Sequence, residues 1–203
     1  MRSGGNEPQY GSDNKVSANG GDGDDTIVVC CQIYCFHCDS MIKVLEKNNT
    51  IINKKISKIK KGEQVLTFNG KMKQFTKVTK VKKNEGLFEF YTIKCKDSKS
   101  NIKSISITGN HTMIVYGEKK NENKLKYADQ VKIGDLFMTN DGFFEVYEIN
   151  REKMYGSYEI RVENGTILAN DILVSTLYLD KNEMRKNNQE IWDSTKNKIE
   201  ILN

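Results

Sequence analysis

Ten residues that occur twice constrain this chain more than any other feature. Lys61-Gly62-Glu63-Gln64-Val65-Leu66-Thr67-Phe68-Asn69-Gly70 aligns without gaps with Ile133-Gly134-Asp135-Leu136-Phe137-Met138-Thr139-Asn140-Asp141-Gly142. Each copy reads glycine, acid, strand-forming residues, then a hairpin turn ending in glycine. Each follows a basic-apolar stretch (residues 56–60 and 131–132) and precedes strand-rich sequence. A solenoid needs at least three repeats. Two copies instead predict two related β-subunits about a pseudo-twofold axis.

The surrounding sequence agrees. Short runs of β-branched and aromatic residues occupy 41–45, 64–68, 75–81, 88–95, 102–108, 112–116, 136–139, 143–149, 158–162 and 172–174. Turn signals separate them, among them Asn69-Gly70, Asn140-Asp141-Gly142 and Asn164-Gly165. Helical periodicity is absent before residue 180. The fold class expected is all-β, in one domain over residues 35–179. Residues 1–26, rich in Gly, Asn, Ser and Asp, read as a disordered tail or linker. Residues 27–34 read as an extended approach to Cys35. Residues 180–203 read as a polar tail, with Ile191 and Trp192 at the centre of a candidate helix.

Charge and cysteine usage narrow the function classes. The net charge is +5, and lysines concentrate between Lys54 and Lys83. They alternate with apolar residues and lack interleaved arginines or aromatic platforms, so solvated strand faces are expected and not a nucleic-acid partner. No window reaches the roughly 20 apolar residues of a membrane-spanning helix. A monomer is expected. Four of the five cysteines (Cys30, Cys31, Cys35, Cys38, Cys95) fall within nine residues. That spacing suits reactive thiols or metal ligands better than a disulfide framework. It favours a reducing compartment, while a secreted parent stays compatible with it.

The chain has only two histidines, His37 and His111. His111 ends the turn Thr108-Gly109-Asn110-His111, with apolar strands on both sides. Cys35 sits where the loose tail meets the strand-rich domain. Together these residues suit an N-to-S acyl shift at the Tyr34–Cys35 bond. The cysteine sulfur attacks the preceding carbonyl, an imidazole moves the proton to the leaving nitrogen, and a hydroxyl holds the scissile peptide.

The residues also resemble a known family. Cys35-Phe36-x-x-Asp39-Ser40, Lys61-Gly62-Glu63-x-Val65-Leu66, Thr108-x-x-His111, Ala128-x-x-Val131-Lys132-x-Gly134-Asp135 and 165–175 resemble, in order, blocks of the Hint domain. That is the β-fold of inteins, bacterial intein-like domains and Hedgehog autoprocessing domains. The resemblance implies a duplicated pseudo-twofold fold, with Cys35 as nucleophile and Thr108 and His111 assisting. It implies an autocatalytic, single-turnover reaction on the chain's own upstream polypeptide, needing no cofactor. An external amine, a thiol or water would resolve the thioester. Departures from the family trim this expectation. Val174-Ser175-Thr176 lacks the His-Asn pair that completes splicing, and Lys82-Lys83 lacks the acid used in sterol transfer. N-terminal cleavage or ligation is therefore expected, with Thr176 at most a vestigial acceptor. Two further readings follow from the same residues. Zinc on Cys35, Cys38 and His111 would block the nucleophile and inhibit. A catalytically silent Hint-like module, binding zinc or another partner, is the alternative function.

Overall fold

The computed structural model describes residues 35–69, 72–117, 124–177 and 179. The expected tails (1–26 and 180–203), the approach 27–34, the candidate helix near Trp192, and Tyr34, Cys30, Cys31 and Gly70 lie outside the described residues. Eleven strands form one antiparallel sheet system. In chain order they are β1 Met41–Leu45, β2 Ile51–Lys55, β3 Gln64–Asn69, β4 Met72–Lys96, β5 Ile102–Thr108, β6 Thr112–Val115, β7 Lys124–Tyr127, β8 Leu136–Thr139, β9 Gly142–Val162, β10 Thr166–Ala169 and β11 Ile172–Ser175. The described residues contain no α-helix, only two single 3-10 turns, Ile56–Lys58 and Ala128–Gln130. Among them no helix is long and apolar enough to cross a membrane.

The repeat read from the sequence is a structural duplication, bond for bond. Gly62 N and Gly134 N donate to Val78 O and Val146 O, each at 2.8 Å. Val78 N and Val146 N return the bond to Glu63 O and Asp135 O, also at 2.8 Å. The acid of each copy ties down its own loop. Glu63 accepts from Lys60 N and Lys54 Nζ, and Asp135 accepts from Lys132 N and Lys126 Nζ. So β1-β2-β3-β4 corresponds to β6-β7-β8-β9. Strands β1 and β2 pair as β6 and β7 do, and a 3-10 turn follows β2 and β7 alike. Two strands then cross from one half to the other: β10 pairs with β1, and β11 with β6 and β8.

One apolar core unites the halves. It includes Phe36, Ile42, Val65, Ile93, Ile107, Met113, Phe137, Phe144 and Val174, all buried. Large β-branched and aromatic side chains at alternate strand positions supply it, which is the pattern of a sheet with one packed face.

The strand reading needs two corrections. Residues 75–81 and 88–95 are not separate strands but parts of the 25-residue β4. Likewise 143–149 and 158–162 are parts of the 21-residue β9. The turn-like sequence Lys82-Lys83-Asn84-Glu85-Gly86 is absorbed as a bulge. Asn84 pairs with Ser157 and Leu87 with Tyr155, so β4 holds one residue more than β9 there. Strands β2, β7 and β10 were also unmarked in the sequence reading. β2 and β7 carry lysines on solvent-facing positions, and β10 is a four-residue buried run.

Gly62 and Gly134 adopt φ of +93° and +90°, and a Cβ at either would meet nothing within 4 Å. Substitution there tests backbone strain without a clash. Gly62→Ala and Gly134→Ala should each lower unfolding free energy by about 1–2 kcal/mol, read from denaturant midpoints. A cost at only one position would contradict the equivalence of the two halves.

Candidate functional site

The three residues singled out in the sequence meet where the two halves join. Phe36 forms β-bridges to Ile107 on one side and to Tyr158 on the other. Backbone bonds from His37 N to Ser106 O and from Thr108 N to Cys35 O, both 3.0 Å, flank the first bridge. In a regular antiparallel ladder this register would send Cys35 N to Thr108 O, because the residues beside such a bridge exchange both bonds. Here the bond goes elsewhere. Thr108 O accepts from His111 N at 2.9 Å to close the Thr108–His111 turn. Cys35 N donates instead to the Thr108 hydroxyl, at 3.0 Å. The turn is clamped from below, where Ala128 N donates to His111 O and Asp129 N to Gly109 O.

Cys35 is fully buried. Its sulfur accepts a hydrogen bond from Asn84 Nδ2 at 3.2 Å. Burial pushes the thiol up to about 11, against hydrogen bonds from Ser157 and Asn84 that favour the thiolate. Asn84 Nδ2 also lies 3.5 Å from Ser157 Oγ. Both residues belong to the bulged segment of β4 and β9.

His111 is buried at 2% exposure and packs edge-on against Phe36, with ring centroids 4.5 Å apart. Burial pulls its imidazole down to about 4, so it is neutral at neutral pH. Nε2 lies 2.9 Å from Ser175 O, which can only accept, so Nε2 carries the proton. Nδ1 is then a bare lone pair, buried and without a hydrogen-bond partner among the described residues. Such an orphan is costly unless it has work to do.

The zinc set is not assembled. Cys35 Sγ faces Asn84, and His111 Nε2 faces Ser175 O. Cys38 Sγ lies 3.6 Å from His37 Nε2. Among the described residues the one group of three metal-donor side chains converging within 4.8 Å is His37, Cys38 and Asp39. It excludes both Cys35 and His111, and the exposed Asp39 is already paired with Lys55 at 2.6 Å. Thr176 follows β11, with its amide donating to Gly165 O at 2.7 Å and its hydroxyl buried without a partner among the described residues. Cys95 is buried in β4, with Sγ 3.7 Å from Lys103 O. Asn170 is structural. It occupies φ +49° in the β10–β11 turn, accepts from Met41 N, and donates to Ser104 O.

Sequence reasoning missed Asn84 and Ser157. Asn84 lies 49 positions from Cys35 inside a turn-like lysine-rich stretch, and the pairing of β4 with β9 places it at the sulfur. A search there for an acid passed over a neutral donor.

The sequence model of the Hint module matches residues 24–186. No curated protein matches the sequence. Among solved structures, an intein from a hyperthermophile matches with TM-score 0.60 and 14% identity, over 70% of this chain and 99% of that one. The bacterial intein-like domain from Clostridium thermocellum matches with TM-score 0.53 and 18% identity, over 71% and 99%. A DnaB intein from Synechocystis matches with TM-score 0.55 and 16% identity, over 70% and 98%. At these identities the likenesses show the fold.

Because the metal-ligand set is not assembled, a chelator should leave the rate of any cleavage at Cys35 unchanged. A rise of several-fold on chelation, reversed by added zinc, would place a metal on the nucleophile after all.

Proposed function

The chain belongs to the Hint module family, and from that premise we propose that it cuts or transfers its own upstream polypeptide at the Tyr34–Cys35 bond. The general activity supported by the fold is self-processing. The specific step is an N-to-S acyl shift. Cys35 Sγ attacks the Tyr34 carbonyl carbon, a C–S bond forms, and the C–N bond to Cys35 breaks. The thiol proton passes to His111 Nδ1 and then to the leaving nitrogen. This leaves a thioester at Tyr34 and a free amine on Cys35. Water, an external amine or a thiol then releases the upstream segment.

The observation that carries this reading is the fate of Cys35 N. The nitrogen that must leave rests on the hydroxyl of Thr108 and not on a backbone carbonyl. The histidine of the same turn offers an unused lone pair. Splicing is disfavoured on residue grounds. No asparagine occupies 174–176, and both ends of the Asn170 amide are engaged.

The test uses the chain with an N-terminal tag, incubated with and without a thiol or hydroxylamine. Release of a fragment ending at Tyr34 is expected. Cys35→Ala should abolish it. His111→Ala should slow it by about a hundredfold to ten-thousandfold, and Thr108→Ala by about a hundredfold. A chain that stays intact under every condition defeats the proposal and favours the silent module.

The proton arrangement predicts the pH dependence. The reactive thiolate–imidazolium pair carries as many protons as the resting thiol–imidazole pair. Its population is therefore independent of pH between the His111 value, about 4, and the Cys35 value, about 11. Under hydroxylamine high enough for the acyl shift to limit the rate, cleavage should be flat across that window. It should fall on the acid side, where imidazolium builds up, and on the alkaline side, where the proton to be donated is lost. A narrow bell centred near pH 7.5, as unperturbed His and Cys would give, contradicts the dry site described here.

A further inference from the structure

We infer that Asn84 is a catalytic residue of this reaction, its side-chain N–H donating to the Cys35 sulfur as negative charge gathers there. The inference rests on the acyl-shift reading and deepens it. A fully buried thiol must ionise to attack, in a site that has removed water from around it. Among the described residues, the side chain hydrogen-bonded to that sulfur is that of Asn84, at 3.2 Å, and Ser157 Oγ lies 3.5 Å from the same amide nitrogen. The amide is a neutral donor, and such a donor helps the anion more than the thiol.

The backbone is built to present this amide. Asn84 is the last paired residue before the β4 bulge, directly opposite Ser157. Bulges re-aim side chains near reacting groups. Asn84 keeps the register of Lys82 and Lys83 on β9, and Phe36, next to Cys35, bridges Tyr158, the residue beside Ser157, so the amide faces the sulfur from the same ladder. Asn84 also sits across the sulfur chemistry from both directions. In the acyl shift it stabilises the attacking thiolate. When water, an amine or a thiol later attacks the thioester, the sulfur departs as thiolate and the same N–H receives it.

The experiment compares cleavage in the tagged full-length chain for the parent, Asn84→Leu, Asn84→Asp and Ser157→Ala, across pH 4 to 9. Circular dichroism melts at each pH confirm folding. Asn84→Leu is expected to lose about tenfold or more at every pH, and Ser157→Ala a smaller factor. Asn84→Asp is the diagnostic variant, being nearly isosteric. Below its own pKa the introduced carboxyl is protonated and can donate an O–H to the sulfur. Above it the carboxylate repels a thiolate. The rate of Asn84→Asp relative to the parent should therefore fall about tenfold or more as pH rises from 4 to 8. A structural role predicts a constant ratio. Overturning results are a parent that cleaves alongside an Asn84→Leu within twofold of it, or an Asn84→Asp ratio that does not vary with pH. A parent that never cleaves is a different failure, that of the acyl-shift reading itself.

Discussion

The structure turns on one displaced hydrogen bond. In the ladder between residues 35–37 and 106–108, the Thr108 carbonyl should receive the Cys35 amide. It is taken by His111 N instead. The Thr108–His111 turn therefore does two things with one contact. It brings His111 against Phe36, and it leaves the Cys35 amide to a hydroxyl. A threonine is the economical choice there, because its β-branch suits the strand end and its hydroxyl can replace the missing acceptor. A regular ladder would bury the Cys35 nitrogen among backbone bonds as inertly as any other strand amide.

The duplication explains why such a contact exists at all. The turn His37–Ser40 mirrors the turn Thr108–His111. Ser40 N donates to His37 O as His111 N does to Thr108 O, and Ile56 N to Ser40 O as Ala128 N does to His111 O. The segments that precede these turns pair with each other through Phe36 and Ile107. The candidate site is thus where two copies of one entry strand meet across the pseudo-twofold axis. Symmetry supplies the juxtaposition, and the two turns differ at both of their end positions. One turn carries Thr and His at its ends, and the other carries His and Ser.

Much of this was legible in the sequence, for reasons that are local. The Gly-acid start of each repeat encodes a positive-φ residue and a carboxylate that ties its own loop, so the duplication could be read directly. Thr108 and His111 are three residues apart and define their own turn. What was not legible depends on distant partners or on edges. β2, β7 and β10 are short and either lysine-faced or fully buried, so periodicity says little about them. The segment 82–87 reads as a turn because lysine, asparagine and glycine cluster there. Its distant partner on β9 keeps it in the ladder. Asn84 was lost with it. The side chains of the zinc reading do not converge, for a related reason. Short sequence spacing placed Cys35 and Cys38 together, whereas strand alternation and the following turn give their sulfurs different neighbours, Asn84 and His37.

Burial is the remaining constraint, and it acts on rate more than on geometry. With the Cys35 thiol raised to about 11 and the His111 imidazole lowered to about 4, both groups are neutral at neutral pH. In the proposed acyl shift, a thiolate–imidazolium pair would lie uphill by the difference between those values, less whatever attraction and hydrogen bonding return. Contacts that act only on the charged form therefore have the greatest leverage. The site contains few of them: the amide of Asn84, the hydroxyl of Ser157, and more distantly Lys82, opposed by Glu159. The bulged strands, the turn and the two half-domains together create the buried setting of Cys35.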